Sequence, residues 1–105
     1  MPGGRAYFGV GVAGSGSKGR IFAVGGCSQE CAKPYDTVLQ YSVARDEWTP
    51  LGSSSLPLPR FEFGATTLDG VLYVGGGLHN TNASEAMDSV LRMVLDDAPP
   101  LWDAH

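Results

Sequence analysis

The chain has 105 residues, of which 43% are hydrophobic and 17% are charged, and its formal net charge is −4 at pH 7. This length suffices for one small domain with a modest core. The seven basic residues are spread singly, so no nucleic-acid partner is expected, because phosphate backbones are bound by clustered basic side chains. No apolar run approaches the roughly 18 residues of a membrane span, so no membrane association is expected.

The 15 glycines and 7 prolines, together with the low charge, favour short strands and tight turns over helices. The first residues lack the pattern of a secretory signal, and two cysteines do not form a disulfide framework. A reducing compartment and a cytoplasmic location are therefore expected. Asn82 opens a glycosylation sequon, which matters only if the chain is secreted.

The first half of the chain is predicted to form four short strands, because β-branched and aromatic residues are interrupted by Gly, Ser, Asp or Pro. In chain order these strands are YFGVGVA, RIFAVGG, TVLQYSVA and EWTPLG. The segment SLPLPR at residues 55–60 follows, and its prolines exclude both a helix and a central strand.

The second half of the chain is predicted to repeat this order with EFGATTL, GVLYVGG, SVLRMVL and a weaker LWDA. The Asp69-Gly70 pair between the first two of these strands is a strong signal for a tight turn. Residues 82–95 also have a helix-favouring composition, with Ser84 as a possible cap. We predict a strand for their second half, because it aligns with a strand of the first half.

The two halves therefore form two units, residues 1–54 and a more degenerate unit at residues 55–105. Their spacing of about 50 residues is typical of propellers and solenoids. Both units contain the same four sequence landmarks in the same order, which argues against coincidence. They are the sequence Arg-x-x-Phe-Gly opened by Arg5 and Arg60, the pairs Gly25-Gly26 and Gly76-Gly77, the sequences DTVL at 36–39 and DSVL at 88–91, and finally Trp48 and Trp102.

The first unit resembles a kelch repeat, because a Gly pair follows an apolar strand and six residues separate Tyr41 from Trp48. The second unit departs from the pattern at Met93, where Tyr is typical, and at Trp102, which comes two residues late. The resemblance implies an all-β fold of two four-stranded antiparallel kelch-type β-propeller blades. It also implies that the Gly pairs end the second strand of each blade at positive φ, and that Tyr41, Trp48 and Trp102 pack into the blades.

Two blades leave apolar faces uncovered, because propellers close with about four to eight blades. The fold is thus expected to be an incomplete or oligomer-completed propeller. Self-association or further repeats would close the ring.

Two other patterns invite a cofactor or metal. Residues 9–14 and 14–19 fit G-x-G-x-x-G, but they run into a strand where a dinucleotide site requires a helix, so no cofactor is expected. Cys27 and Cys31 allow three interpretations: a zinc site with His79 as third ligand, a disulfide, or ordinary loop thiols. We favour the last, with no metal, because no fourth ligand is evident and the second unit has no matching cysteines.

No nucleophile with a base is evident, so the chain is predicted not to be an enzyme. The resemblance implies protein–protein recognition through loops on one face of the propeller, as in ubiquitin-ligase adaptors and actin-associated kelch proteins. The alternative is a fragment or subunit of a carbohydrate-active kelch-type enzyme, such as a sugar oxidase or epimerase. Arg60 has a second interpretation, as a side chain that bonds backbone carbonyls between blades. The predicted contact residues are Gln29, Glu30, Lys33, Ser53, Ser54, Ser55, Arg60, His79, Asn80 and Asn82.

Overall fold

The computed structural model describes residues 4–28, 33–61, 63–78, 89–96 and 100–104. These residues form eight strands in two four-stranded antiparallel sheets, and they include no α-helix. Each sheet is a meander, because its strands lie side by side in chain order. This confirms the predicted fold of two blades that do not close a ring. The first sheet contains β1 (Gly9–Ala13), β2 (Arg20–Val24), β3 (Val38–Ser42) and β4 (Glu47–Pro50), and the second contains β5 (Gly64–Leu68), β6 (Val71–Gly75), β7 (Val90–Val94) and β8 (Trp102–Ala104).

The connections between strands follow the turn residues of the sequence. Asp69 and Gly70 join β5 to β6 with φ values of 51° and 77°, the left-handed conformation that a two-residue hairpin turn requires. The same connection in the first sheet is longer and contains a 3-10 turn at Gly16–Lys18. The second half of residues 82–95 forms the predicted strand, β7, and the first half lies outside the described residues.

The two sheets pack closely face to face because one face of β1 carries only small residues. Gly9, Gly11 and Ala13 are buried there, whereas the intervening side chains of β1 are exposed. A Cβ atom added to Gly9 would lie 2.4 Å from Cε2 of Phe63, and one added to Gly11 would lie 2.9 Å from Cδ2 of Leu72. Glycine therefore permits an approach of the second sheet that no other residue permits.

The main core lies between the sheets and combines residues from both. Its burial is the largest favourable contribution to folding, at roughly 25 cal/mol per Å² of apolar surface removed from water. Polar contacts also join the sheets: for example, Arg20 pairs with Asp96 at 2.7 Å, and the Val12 N–H donates to Oγ1 of Thr67 at 3.1 Å. The buried core residues are Ala13, Phe22, Val24, Val38, Leu56, Leu72, Val74, Leu91, Met93 and Leu95.

Tyr41 and Trp48 lie opposite each other on β3 and β4, with ring centroids 5.2 Å apart. They are half-buried and occupy the face of the first sheet that points away from the second. By strand register, Met93 and Trp102 hold the same places in the second sheet. Because that face of the second sheet packs on the first, Met93 is fully buried.

The Tyr41 hydroxyl donates a hydrogen bond to Oδ1 of Asp46 at 2.5 Å, and this bond raises the pKa of Tyr41 above its ordinary value. The folded pKa thus exceeds the unfolded value of about 10, so the stabilisation is complete below that pH and is lost as pH rises through the raised pKa. Replacing Asp46 with Asn removes the charged acceptor but tolerates the positive φ of this position, 50°.

We therefore expect Asp46→Asn to lower the pKa of Tyr41 towards its ordinary value. The measurement is an alkaline absorbance titration, with a Tyr41→Phe chain titrated in parallel to isolate the signal of Tyr41. An unchanged titration midpoint in Asp46→Asn would show that the hydrogen bond does not control this group.

Candidate protein-binding face

The connecting segments lie side by side at the end of both sheets where β2 and β6 finish. We call this surface the loop face. The segment before β1 pairs with the loop after β2 through Ala6 and Cys27, and the segment before β5 pairs with the loop after β6 through Phe61 and Leu78. The segment that joins the sheets runs alongside, because the Leu56 N–H donates to the Asp36 carbonyl at 2.7 Å. The described residues of the loop face are 4–8, 25–28, 33–37, 55–61 and 76–78.

The glycine pairs give the loop face its sharp turns. Gly25 and Gly26 have φ values of 60° and 88°, and Gly76 and Gly77 have values of 71° and 90°. A Cβ atom on Gly26 would lie 2.7 Å from the carbonyl oxygen of Ala6. Both the positive φ and the close backbone therefore require glycine.

Arg60 joins the two sheets from the middle of the loop face. Its carbonyl accepts the Gly26 N–H at 2.8 Å, and its own N–H donates to the Tyr35 carbonyl at 3.3 Å. Its guanidinium points into the second sheet, where it donates to the carbonyls of Gly76 and Ser89 and to Oγ of Ser89, the last at 2.8 Å. Only 2% of Arg60 is exposed, and this burial lowers the pKa of the guanidinium.

Arg5 repeats this arrangement in the first sheet. Its guanidinium donates to the Gly25 carbonyl at 2.8 Å, to the Thr37 carbonyl at 3.3 Å and to Oγ1 of Thr37 at 3.0 Å. It also lies 4.9 Å from the ring centroid of Tyr35. Partial burial lowers the pKa of Arg5, and the interaction with Tyr35 opposes that shift. The arginine of each Arg-x-x-Phe-Gly sequence therefore clamps the start of the third strand to the end of the second.

Comparison with known proteins identifies this repeated architecture. The model of the kelch motif matches residues 4–55, which include the whole first sheet and its arginine clamp. This chain belongs to the kelch-repeat family. "Kelch repeat and BTB domain-containing protein 1" of Cowpox virus (strain Brighton Red) is 40% identical over 74 residues, which cover 67% of this chain. The match spans only 13% of that protein, so the chain corresponds to a small part of this relative.

Two residues of the predicted contact set, Ser54 and Arg60, are buried and therefore not exposed on the loop face. A contact of either residue with a partner stays a prediction. Oγ of Ser54 donates to the Pro100 carbonyl at 2.5 Å, and the Ser54 carbonyl accepts the indole N–H of Trp102 at 2.7 Å. The second interpretation of Arg60 fits better, because its main chain and its side chain bond carbonyls of different blades.

Two predicted contact residues, Lys33 and Ser55, are exposed on the loop face. The backbone bonds of Tyr35 and Asp36 to the segment between the blades place Ser55 beside the loop that carries Lys33. The other members of the set lie outside what the structure describes. They are the side chain of Ser53 and the residues Gln29, Glu30, His79, Asn80 and Asn82.

Sequence reasoning missed Tyr7 as a surface residue of the kelch loop face. Its side chain is 60% exposed, and its φ of 53° is unusual for a residue other than glycine. The sequence placed Tyr7 inside the first strand, but β1 begins only at Gly9. A strained, exposed aromatic residue on a loop is a typical contact residue.

Cys27 is fully buried and disulfide-bonded, so its interpretation as an ordinary loop thiol is wrong. Cys31 and His79, on which the zinc alternative depends, lie outside the described residues. Within those residues, no three His, Cys, Asp or Glu side chains are grouped as a metal site would require. The cytoplasmic location stays a prediction, and a structural disulfide is uncommon in that compartment.

The described part of the chain contains no helix of the length and apolar character needed to cross a membrane.

Proposed function

We propose that this chain is a protein–protein interaction module that recognises a partner segment through the loop face and has no catalysis of its own. The observation that carries the proposal is the contrast within this face. Its buried groups are engaged in holding the blades together, whereas Tyr7 and Lys33 extend into solvent. A rigid scaffold that presents exposed loop side chains is the usual arrangement for recognition.

The exposed side chains favour a peptide that carries an acidic residue beside an apolar one. Tyr7 supplies a large aromatic surface of the kind that dominates binding energy at interfaces. The ammonium group of Lys33 supplies a positive charge that favours association with a carboxylate. Arg5 adds a second cation to the same face, although its guanidinium is already hydrogen-bonded within the first blade.

The same proposal includes completion of the propeller, by self-association or by further repeats. The faces of the two blades that point away from each other carry exposed apolar side chains, among them Val10, Val12, Leu68 and Val94. Apolar sheet faces of this kind are stable only when another layer covers them. The absence of nucleic-acid and membrane partners stays a prediction.

Selection of displayed random peptides on the immobilised chain tests recognition by the loop face. We expect enriched peptides whose affinity falls about tenfold or more, equivalent to about 1.4 kcal/mol, on Lys33→Glu and on Tyr7→Asn. Asparagine removes the ring but accepts the left-handed backbone of position 7.

The matched control is Lys18→Glu, which reverses a charge in the turn between β1 and β2, at the other end of the strands. Binding should be unaffected by this change. An equal loss in Lys18→Glu and Lys33→Glu, or a selection without enriched peptides, would refute the loop face as the recognition surface.

A further inference from the structure

The two blades have unlike outer faces, which strand register defines. The leading face is the side of the first blade turned away from the second, and Val12 on it is 53% exposed. The trailing face is the side of the second blade turned away from the first, and Leu68 on it is 62% exposed. The leading face contains Val10, Val12, Ile21, Tyr41, Val43 and Trp48, and the trailing face contains Thr66, Leu68, Val71, Tyr73, Val90 and Val94.

Each outer face is the counterpart of a face that is already packed inside the chain. On the leading face, Ile21, Tyr41 and Trp48 lie side by side on β2, β3 and β4. In the second blade, Leu72, Met93 and Trp102 have the same register on β6, β7 and β8, and they pack on the first blade. The leading face is therefore built like a surface that another blade covers.

The trailing face matches the other half of the internal contact. Tyr73 and Val90 on it hold the places that Phe22 and Val38 hold in the first blade, where both pack on the second. Its charged groups, Arg92 and Asp103, pair with each other at 3.4 Å and leave no net charge there.

From these equivalences we infer that the chain associates head to tail with a second copy of itself, the leading face of one copy on the trailing face of the other. This deepens, and rests on, the self-association proposed above. A contact between unlike faces either closes a ring or extends as a filament. Two or three copies would supply four or six blades, within the range of propellers.

Near the first strand of the blade, the sheets of two associated copies lie farther apart than the two sheets within one chain. Thr66 stands where Gly11 stands in the first blade, and a Cβ on Gly11 would lie only 2.9 Å from Leu72. The counterpart of Leu72 in an incoming copy is Ile21, which therefore meets the side chain of Thr66. Thr66→Gly is thus expected to tighten the association by about tenfold, as measured by analytical ultracentrifugation.

Two variants, each blocking one face, test the head-to-tail geometry by sedimentation velocity over a range of concentrations. Val12→Asp places a charge on the leading face, and Val94→Asp places one on the trailing face. Each variant alone should be a monomer, because every copy lacks one of the two faces that a contact needs. Mixed together they should form a 1:1 complex, since each supplies the face that the other lacks.

The control is Leu58→Asp, which places the same charge on the exposed segment between the blades and should associate like the unaltered chain. Circular dichroism reports whether each variant folds. If either variant fails to fold, Val10→Asp and Leu68→Asp replace the pair.

The sedimentation results distinguish self-association from the head-to-tail geometry. An unaltered chain that stays monomeric would refute self-association and this geometry together. Association of the unaltered chain that survives in Val12→Asp or in Val94→Asp, or a mixture that forms no complex, would refute the head-to-tail geometry and leave self-association standing. A loop face that binds no peptide would leave all of these results unchanged.

Discussion

Arg60→Met is expected to lower the free energy of unfolding by about 3–5 kcal/mol, the largest single effect that the structure predicts. The substitution keeps an unbranched apolar side chain but removes the donors to the carbonyls of Gly76 and Ser89 and to the Ser89 hydroxyl. Methionine cannot replace these bonds, and the site is closed to water because Arg60 is buried. The measurement is urea denaturation followed by tryptophan fluorescence.

Arg5→Met provides the matched control, because Arg5 makes the equivalent bonds in the first blade from a partly exposed position. Water can replace part of the lost bonding there, so we expect a smaller loss, of about 1–2 kcal/mol. Both variants are compared at equal protein concentration, because association contributes to apparent stability. Equal losses would contradict the view that burial prevents water from replacing the bonds of Arg60.

Gly9→Ala is expected to destabilise the chain by about 2–3 kcal/mol through overpacking between the blades. The added methyl group would lie 2.4 Å from Cε2 of Phe63 and 3.0 Å from Cβ of Ala65, so the second blade must move or Phe63 must leave its position. Thermal unfolding followed by circular dichroism measures the effect.

The control for this change is Gly64→Ala at the equivalent position of β5. An added Cβ there meets only the Gly75 carbonyl oxygen, at an ordinary 4.0 Å. We expect a change within about 0.5 kcal/mol, of either sign. A Gly64→Ala loss that matched the Gly9→Ala loss would mean that glycine is needed for the strand itself and not for the stacking of the blades.

The strands and their order could be predicted from the sequence because the signals are local and repeated. Turn residues such as Asp69-Gly70 mark where strands end, and the second copy of each landmark supports the first. The strand at residues 90–94 illustrates this, because its composition favoured a helix while its alignment with the first unit indicated a strand.

The roles of individual surface residues could not be predicted because they depend on how the blades stack. Arg60 and Ser54 are polar residues of a proline-rich loop, and both are buried where they bond the second blade. Tyr7 is the reverse case, an aromatic residue that is exposed. Its aromatic character suggested a strand interior, whereas it has a left-handed backbone and lies in solvent. Likewise, the spacing of the cysteines does not reveal that Cys27 is buried, beside the segment with which it pairs through Ala6.

Mapping a selected peptide onto the chain by changes in backbone amide chemical shifts tests most directly whether the loop face is the recognition surface. We expect the largest changes on the loop face, around Tyr7 and Lys33 and along residues 55–61. The turns at the opposite end of the strands, residues 14–19 and 69–70, should stay unchanged at saturating peptide. Changes centred on those turns, or on the outer faces of the blades, would contradict recognition through the loop face.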